Sequence, residues 1–192
     1  MKFRKAFSLG SFILDFVQSI VLALSVFVLL YLFVVQPNEV NGNSMVPNFQ
    51  NRERILTDKL SYQFGEPKRG DVVVFKAPAS EPCSENECEY IKRIIGIPGD
   101  RVMVSGGQVY LNGELLKQDF LPADFVTEPG AFSQEGVEVE VPEDSYLVFG
   151  DNRSHSRDGR EFGPISRKLI LGKAFFRYWP LDVIGLLPSI SL

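Results

Sequence analysis

The chain has 192 residues, a net charge of −4 and 45% hydrophobic residues. That length holds one domain, or one domain with an appendage, and excludes a large multidomain enzyme. The acidic balance argues against a nucleic-acid binder, and 16 Phe with 23% charged residues argue against disorder.

The averages conceal two different objects. Residues 1–36 carry Lys2, Arg4, Lys5 and Asp15, a net of +2. The other 156 residues carry 17 basic and 23 acidic groups, a net of −6. From Phe16 to Val35 no residue is charged over 20 positions. A helix of that length spans about 30 Å, the thickness of a bilayer's hydrocarbon core, so the run predicts a transmembrane helix over 16–35. Pro37 supplies a breaker. Basic residues precede the run and none follows until Arg52. This predicts a cytoplasmic tail over 1–15 and an extracytoplasmic domain over 36–192. A cleavable signal peptide competes, but the run is too long and no small-residue cleavage site follows Val35. A buried core helix fits less well, because the run lacks a polar face.

Residues 36–192 read as mainly β. Val72-Val73-Val74-Phe75 is a short apolar strand. Arg101 to Val104 and Gln108 to Leu111 flank Ser105-Gly106-Gly107, a hairpin signal. Asn112-Gly113 offers a type I′ turn into Glu114-Leu115-Leu116. Val137 to Val141 alternates apolar and acidic, which predicts one buried and one wet face. Tyr146 to Phe149 and Leu169 to Trp179 supply further strands. Residues 117–136, with Pro122, Pro129, Gly130 and Gly136, read as a loop or a small inserted unit. Cys83 and Cys88 bracket Ser-Glu-Asn-Glu. Two Cys and one His cannot complete a zinc site, so no metal is expected. Outside the membrane a Cys83–Cys88 disulfide is the natural reading, with two free thiols as the alternative.

Two nucleophile–base pairs are available. His155, the only histidine, could join a Ser-His-Asp triad with Asp151 or Asp158. It lies in a strongly polar run, where a solvated surface role is the bland reading. Ser44 sits in Asn41-Gly42-Asn43-Ser44-Met45-Val46-Pro47, whose Gly and Pro suggest a rigid presentation of the hydroxyl. Lys92 sits in Tyr90-Ile91-Lys92-Arg93-Ile94-Ile95-Gly96. In a strand, Tyr90, Lys92 and Ile94 share one face and Ile91, Arg93 and Ile95 the other. Either both cations snorkel to the surface, or one is desolvated. Desolvation would matter, because an ordinary lysine, near 10.4, cannot accept a proton at neutral pH.

Four segments together carry a resemblance. They are Ser44 to Pro47; Arg69-Gly70-Asp71-Val72-Val73-Val74-Phe75; Tyr90-Ile91-Lys92-Arg93-Ile94-Ile95-Gly96-Ile97-Pro98-Gly99-Asp100; and Gly150-Asp151-Asn152-Arg153-Ser154-His155-Ser156-Arg157-Asp158-Gly159-Arg160. In this order, behind one N-terminal span, they resemble the characteristic boxes of bacterial type I signal peptidases over essentially the whole chain. Arg177-Tyr178-Trp179-Pro180 is similar to that family's closing strand.

The resemblance implies bent, barrel-like antiparallel sheets on one transmembrane helix. It implies a membrane-anchored serine endopeptidase that removes signal peptides from preproteins, with membrane lipid as a partner and no cofactor. Ser44 is then the nucleophile and Lys92 the general base. Ser156 matches the hydroxyl that orients the lysine amine. Asp151, Arg93, Asp158 and Arg160 match residues that hold the site together, and Met45 a residue lining the substrate pocket, near an apolar rim. Longer family members place an oxyanion-binding serine two residues before the nucleophile. Here that position is Gly42, which leaves the second donor to its backbone or to another group. Asn48 and Gly159 depart from the pattern without carrying the core chemistry. Three rivals remain: a self-cleaving repressor, which would need a DNA-binding module; a non-catalytic tethered β domain that binds exported chains; and the His155 triad.

Overall fold

The computed structural model describes residues 9–82, 89–190 and 192. Its first element, α1, runs Leu9–Phe33. Within it Gly10–Tyr31 is long and apolar enough to cross a membrane, and none of it is buried against the protein. Ser19 and Ser25 turn their hydroxyls back to the carbonyls of Asp15 and Val21, both at 2.8 Å. That satisfies them within the helix, as a lipid environment demands.

The helix is offset from the expected 16–35. It is already helical at Leu9, the first described residue, because one carboxylate at Asp15 interrupts a run of hydropathy but not a helical backbone. It stops earlier too, because Val35 already belongs to β1 (Val35–Glu39). β1 pairs antiparallel with β2 (Arg54–Asp58). Pro37 is tolerated in β1 because that strand lies at a sheet edge, where one side needs no donor. Neither β1 nor β2 was foreseen.

The remaining elements are the short α2 (Ser61–Phe64), β3 (Val72–Lys76), β4 (Glu89–Gly96), β5 (Arg101–Ser105), β6 (Gln108–Leu111), β7 (Glu114–Leu115), β8 (Glu138–Glu140) and β9 (Ser145–Phe149). They are followed by α3 (Gly159–Phe162), β10 (Ile165–Ser166), β11 (Ile170–Trp179) and β12 (Gly185–Leu186). The larger sheet has the order β1-β2-β11-β3-β4-β9-β10, with β12 beside β11, and the smaller the order β7-β6-β5-β8. The pairings are antiparallel, and the larger sheet curls into a half-barrel. The mainly-β architecture on one N-terminal apolar helix is as expected.

The all-apolar strands are buried on both faces. Successive residues of β4 and β9 serve different clusters. Ile94, Tyr146 and Val148 join Val73 and Phe75, whereas Ile95, Leu147 and Phe149 join Val102, Val104 and Val109. The Asn112-Gly113 turn has positive φ at both residues, 53° and 85°, as its type requires. The alternation over 137–141 holds for Val139 and Val141, but Val137 is exposed.

Two strand edges are left open. β9 pairs with β4 only from Arg93 onward, so residues 89–92 have one unpaired side. β1, at the end of the sheet order, has another. Residues 117–136 contain no helix or strand. The expected Cys83–Cys88 pair lies outside the described residues.

Candidate active site

The loop after β1 is anchored from below. Met45 is fully buried with Val40, Phe49 and Ile55, and the Phe49 N–H donates to the Met45 carbonyl at 2.9 Å. Gly42 takes φ +93°, a left-handed value that favours glycine. Ser44 is thereby turned the other way, towards β4. The segment 150–160 holds this loop from above. The Asn152 N–H donates to the Ser44 carbonyl at 2.9 Å, and Asn152 Nδ2 to the Asn43 carbonyl at 3.0 Å. A Cβ on Gly150 would collide with the Ser156 side chain and the Ser44 carbonyl, so this close approach requires glycine.

Lys92 reaches Ser44 from β4. Its Nζ lies 2.7 Å from Ser44 Oγ and donates to the Ile91 carbonyl at 3.0 Å. The residue is 5% exposed. Burial lowers its pKa from 10.5 to about 8. Asp158 and Asp151 pull the other way, and Arg160 adds to the lowering. Because the charged form is disfavoured, the amine loses its proton at lower pH than in water. Once neutral it can accept the Ser44 proton along the same 2.7 Å contact.

Arg93, one residue on, faces the opposite side. Its Nε and Nη2 form a fork on Asp151 at 2.8 and 2.6 Å, and Nη1 donates to the Gly70 carbonyl at 2.9 Å. Its guanidinium stacks 4.4 Å from the Phe120 ring centroid. Asp158 caps α3, accepts from the Gly150 N–H at 2.8 Å, and pairs with Arg160 at 2.8 Å. Arg160 also donates to the carbonyls of Glu128 and Ser156. Of these four expected supporting residues, Asp151 bonds the Ser44 loop through Asn48, while Arg93, Asp158 and Arg160 brace the segment 150–160 that packs on it.

Other placements differ from expectation. Met45 does not line the cleft, because its side chain is packed into the core with Val40, Phe49 and Ile55. A run of exposed apolar residues lies elsewhere, at Trp179, Leu181, Val183, Ile184 and Leu186. Ser156 Oγ is buried without a hydrogen-bond partner and is not bonded to Lys92. The Gly42 N–H is engaged by Asn51 Oδ1 at 2.9 Å, so in this arrangement it is not free to meet an oxyanion. His155 is exposed and contacts Ser154 Oγ at 2.9 Å, while both aspartates of the rival triad are committed to arginines.

Several contributors were not anticipated. Asn48 donates to Asp151 Oδ2 at 2.8 Å and to the Phe120 carbonyl at 3.0 Å. Arg153 is buried with no carboxylate paired to it among the described residues. It donates to the Gly150 carbonyl at 3.0 Å and to Thr127 Oγ1 at 2.7 Å, and burial pulls its guanidinium down to about 10. Phe120, Thr127 and Glu128 show that residues 117–136 brace the buried arginines. The only sequence signal was the density of arginine in 150–160, which does not say where those side chains go.

A cleft of about 510 Å³ opens over the serine and lysine. Residues 37–41 form one wall, residues 89–92 the other, and Ile55 and Val74 contribute to the floor. Among the described residues no cluster of His, Cys, Asp and Glu has the arrangement of a metal site.

Residues 13–179 match the family model described as signal peptidase, peptidase S26. Probable signal peptidase I-2 of Synechocystis sp. is 40% identical over 155 residues, covering 81% of this chain and 68% of that protein. Signal peptidase I of Leptolyngbya laminosa is 38% identical over 172 residues, covering 87% and 78%. Signal peptidase IB of Staphylococcus aureus is 32% identical over 181 residues, covering 88% and 91%.

Proposed function

The chain belongs to the signal peptidase family S26, and from that premise we propose that Ser44 and Lys92 are its catalytic dyad. The family activity is that of a membrane-anchored serine endopeptidase acting on signal peptides, and the chain is a single-pass membrane protein. The observation that carries the dyad is the 2.7 Å contact between Ser44 Oγ and the buried amine of Lys92. Neutral Lys92 takes the serine proton as Oγ attacks the scissile carbonyl carbon. The tetrahedral intermediate collapses, the C–N bond breaks, and the lysine ammonium protonates the departing amine. The acyl-enzyme ester remains. Lys92, neutral again, takes a proton from water, whose oxygen attacks the ester. The second collapse releases the new carboxylate and returns the proton to Ser44.

The Ser44 N–H serves as one oxyanion donor. The second is the Gly42 N–H, once it is released from Asn51, or a neighbouring group. Asp151, Arg93, Asp158 and Arg160 act through position: they hold segment 150–160 against the Ser44 loop. The substrate lies extended in the cleft between the open edges of β1 and β4, where it finds unpaired backbone groups on both sides. Small residues at −1 and −3 fit the shallow apolar surface of Val40, Ile55 and Val74. The basic N-terminal residues place the N-terminus in the cytoplasm, the domain over 36–192 on the outer face, and lipid against α1. The substrates are preproteins held by the same bilayer.

Cleavage of a model preprotein in lipid or detergent tests this, with sequencing of the new N-terminus. Wild type should cut at one site, and Ser44→Ala and Lys92→Ala should not. Full activity in Lys92→Ala with loss in His155→Ala would overturn the dyad.

A further inference from the structure

Away from the dyad, the cleft changes character. Near Ser44 its surface is apolar, with Val40, Ile55, Val74 and Ile91. Towards the end of α1 it becomes polar. There Glu89, the first residue of β4, faces Gln36 and Asn38 of β1 across the opening. Glu89 Oε2 accepts from Asn38 Nδ2 at 3.0 Å and from Gln36 Nε2 at 3.4 Å. The Asn38 amide is itself fixed, because its Oδ1 accepts from the Thr57 hydroxyl at 2.8 Å. That contact aims the amide N–H group at Glu89. Two amides therefore hold one oxygen of the carboxylate, and neither neutralises its charge.

Among the described residues no cation forms a salt bridge with Glu89; Lys76 stands opposite it across the β3–β4 pair without reaching that distance. The other charged groups of the cleft are accounted for. Arg157 is held by Glu81 at 2.6 and 3.0 Å, Glu39 pairs with Arg54 at 3.3 Å, and Lys92 is neutral when it acts as base. Among the described residues the cleft thus carries a fixed carboxylate that is in no ion pair, at the end nearer the membrane-spanning helix.

We propose that Glu89, oriented by Gln36 and Asn38, is a specificity-determining residue that selects a lysine or arginine side chain on the membrane side of the scissile bond. This rests on the peptidase reading above and adds a preference to its substrate class. A chain still anchored in the bilayer enters from the α1 end, so the residues passing Glu89 lie N-terminal to the cut. Glu89 is three residues from Lys92 along β4, roughly 10 Å at about 3.3 Å per residue. An extended substrate brings a side chain over it about three to six residues before the scissile bond. Because side chains of an extended chain alternate, one position in that window should feel the charge and its immediate neighbours should not.

The test is a peptide series on the full-length enzyme in detergent. Alanine, lysine and glutamate are placed singly at positions −4 to −6 of one cleavable peptide, with −1 and −3 kept small. The readout is the ratio of kcat/KM for lysine over glutamate within each enzyme, so a general change in activity or stability cancels. Wild type should favour lysine by about fivefold at one position, the scale of a single exposed ion pair, and the ratio should fall with added salt. Glu89→Gln should bring it to about one, and Glu89→Lys should invert it. Gln36→Lys, which supplies the carboxylate with an internal cation, should also erase it while Glu89 remains. No preference at any position in wild type, or the same ratio in wild type and Glu89→Gln, would overturn the inference. If wild type failed to cleave even the alanine reference peptide, the peptidase reading would fall first and this inference with it.

Discussion

Two buried regions lie back to back across β4. On one side the Lys92 amine meets Ser44 and a backbone carbonyl, with no carboxylate in contact. On the other, Arg93 is forked on Asp151 and stacked on Phe120. The burial is alike, 5% exposed for Lys92 and 2% for Arg93. The partners differ. Lys92 is taken out of water without a counter-ion, which lowers its pKa, whereas Arg93 is given a bidentate carboxylate. Adjacent residues on a strand, pointing to opposite faces, can thus supply a base and a brace.

The sharpest way to break this comparison is to remove the base. Lys92→Ala and Lys92→Arg should each lower kcat by at least about 10²–10⁴-fold, the usual worth of a positioned general base. Single-turnover cleavage measures it, and Lys92→Arg should not rescue, because a guanidinium stays charged. On the brace side, Asp151→Ala strands a buried guanidinium and should cost about 3–5 kcal/mol of stability in urea unfolding.

A third expectation has the opposite sign. The folded protein holds Lys92 at about 8 rather than 10.5, so below pH 8 the fold bears the cost of burying a proton-binding group. That cost is roughly 3 kcal/mol at about 1.36 kcal/mol per pKa unit. Between pH 8 and 10.5 the unfolded lysine binds more protons than the folded one, so this group's contribution makes stability rise with pH there. Lys92→Met should therefore be inactive yet more stable than wild type at pH 7, with the gain fading towards pH 10.5. An equally or less stable Lys92→Met would contradict the burial account. In the same range, kcat/KM of wild type should rise through about pH 8. A rise only near the ordinary lysine value would mean that Lys92 is not desolvated. The smallest effect is expected from Asn48→Ala, about 1 kcal/mol, since Asp151 keeps its arginine fork.

What could be read in advance follows the range of the forces involved. β3, β5, β6 and β9 were legible because local hydropathy and turn residues dictate them. β1 and β2 were not, since Pro37 and a mixed pattern disguise strands whose pairing comes from the sheet. Ser44 and Lys92 stood out by resemblance. Their local sequence alone left the surface-lysine reading open, because burial depends on elements far away in the chain. Met45 was expected in the pocket by resemblance alone, and its burial depends on packing with Val40, Phe49 and Ile55 that no local pattern shows. Arg153 with Thr127, and Asn48 with Asp151, are 26 and 103 residues apart, and no local pattern announces such pairs.

The junction between α1 and β1 has a mechanical consequence. A single residue, Val34, separates them. Its N–H donates to the Leu30 carbonyl and its carbonyl accepts from the Lys59 N–H, both at 2.9 Å. A slack tether would let the β domain swing freely about the end of the helix; a bonded joint restricts that swing, so the tilt of α1 is passed on to the sheet.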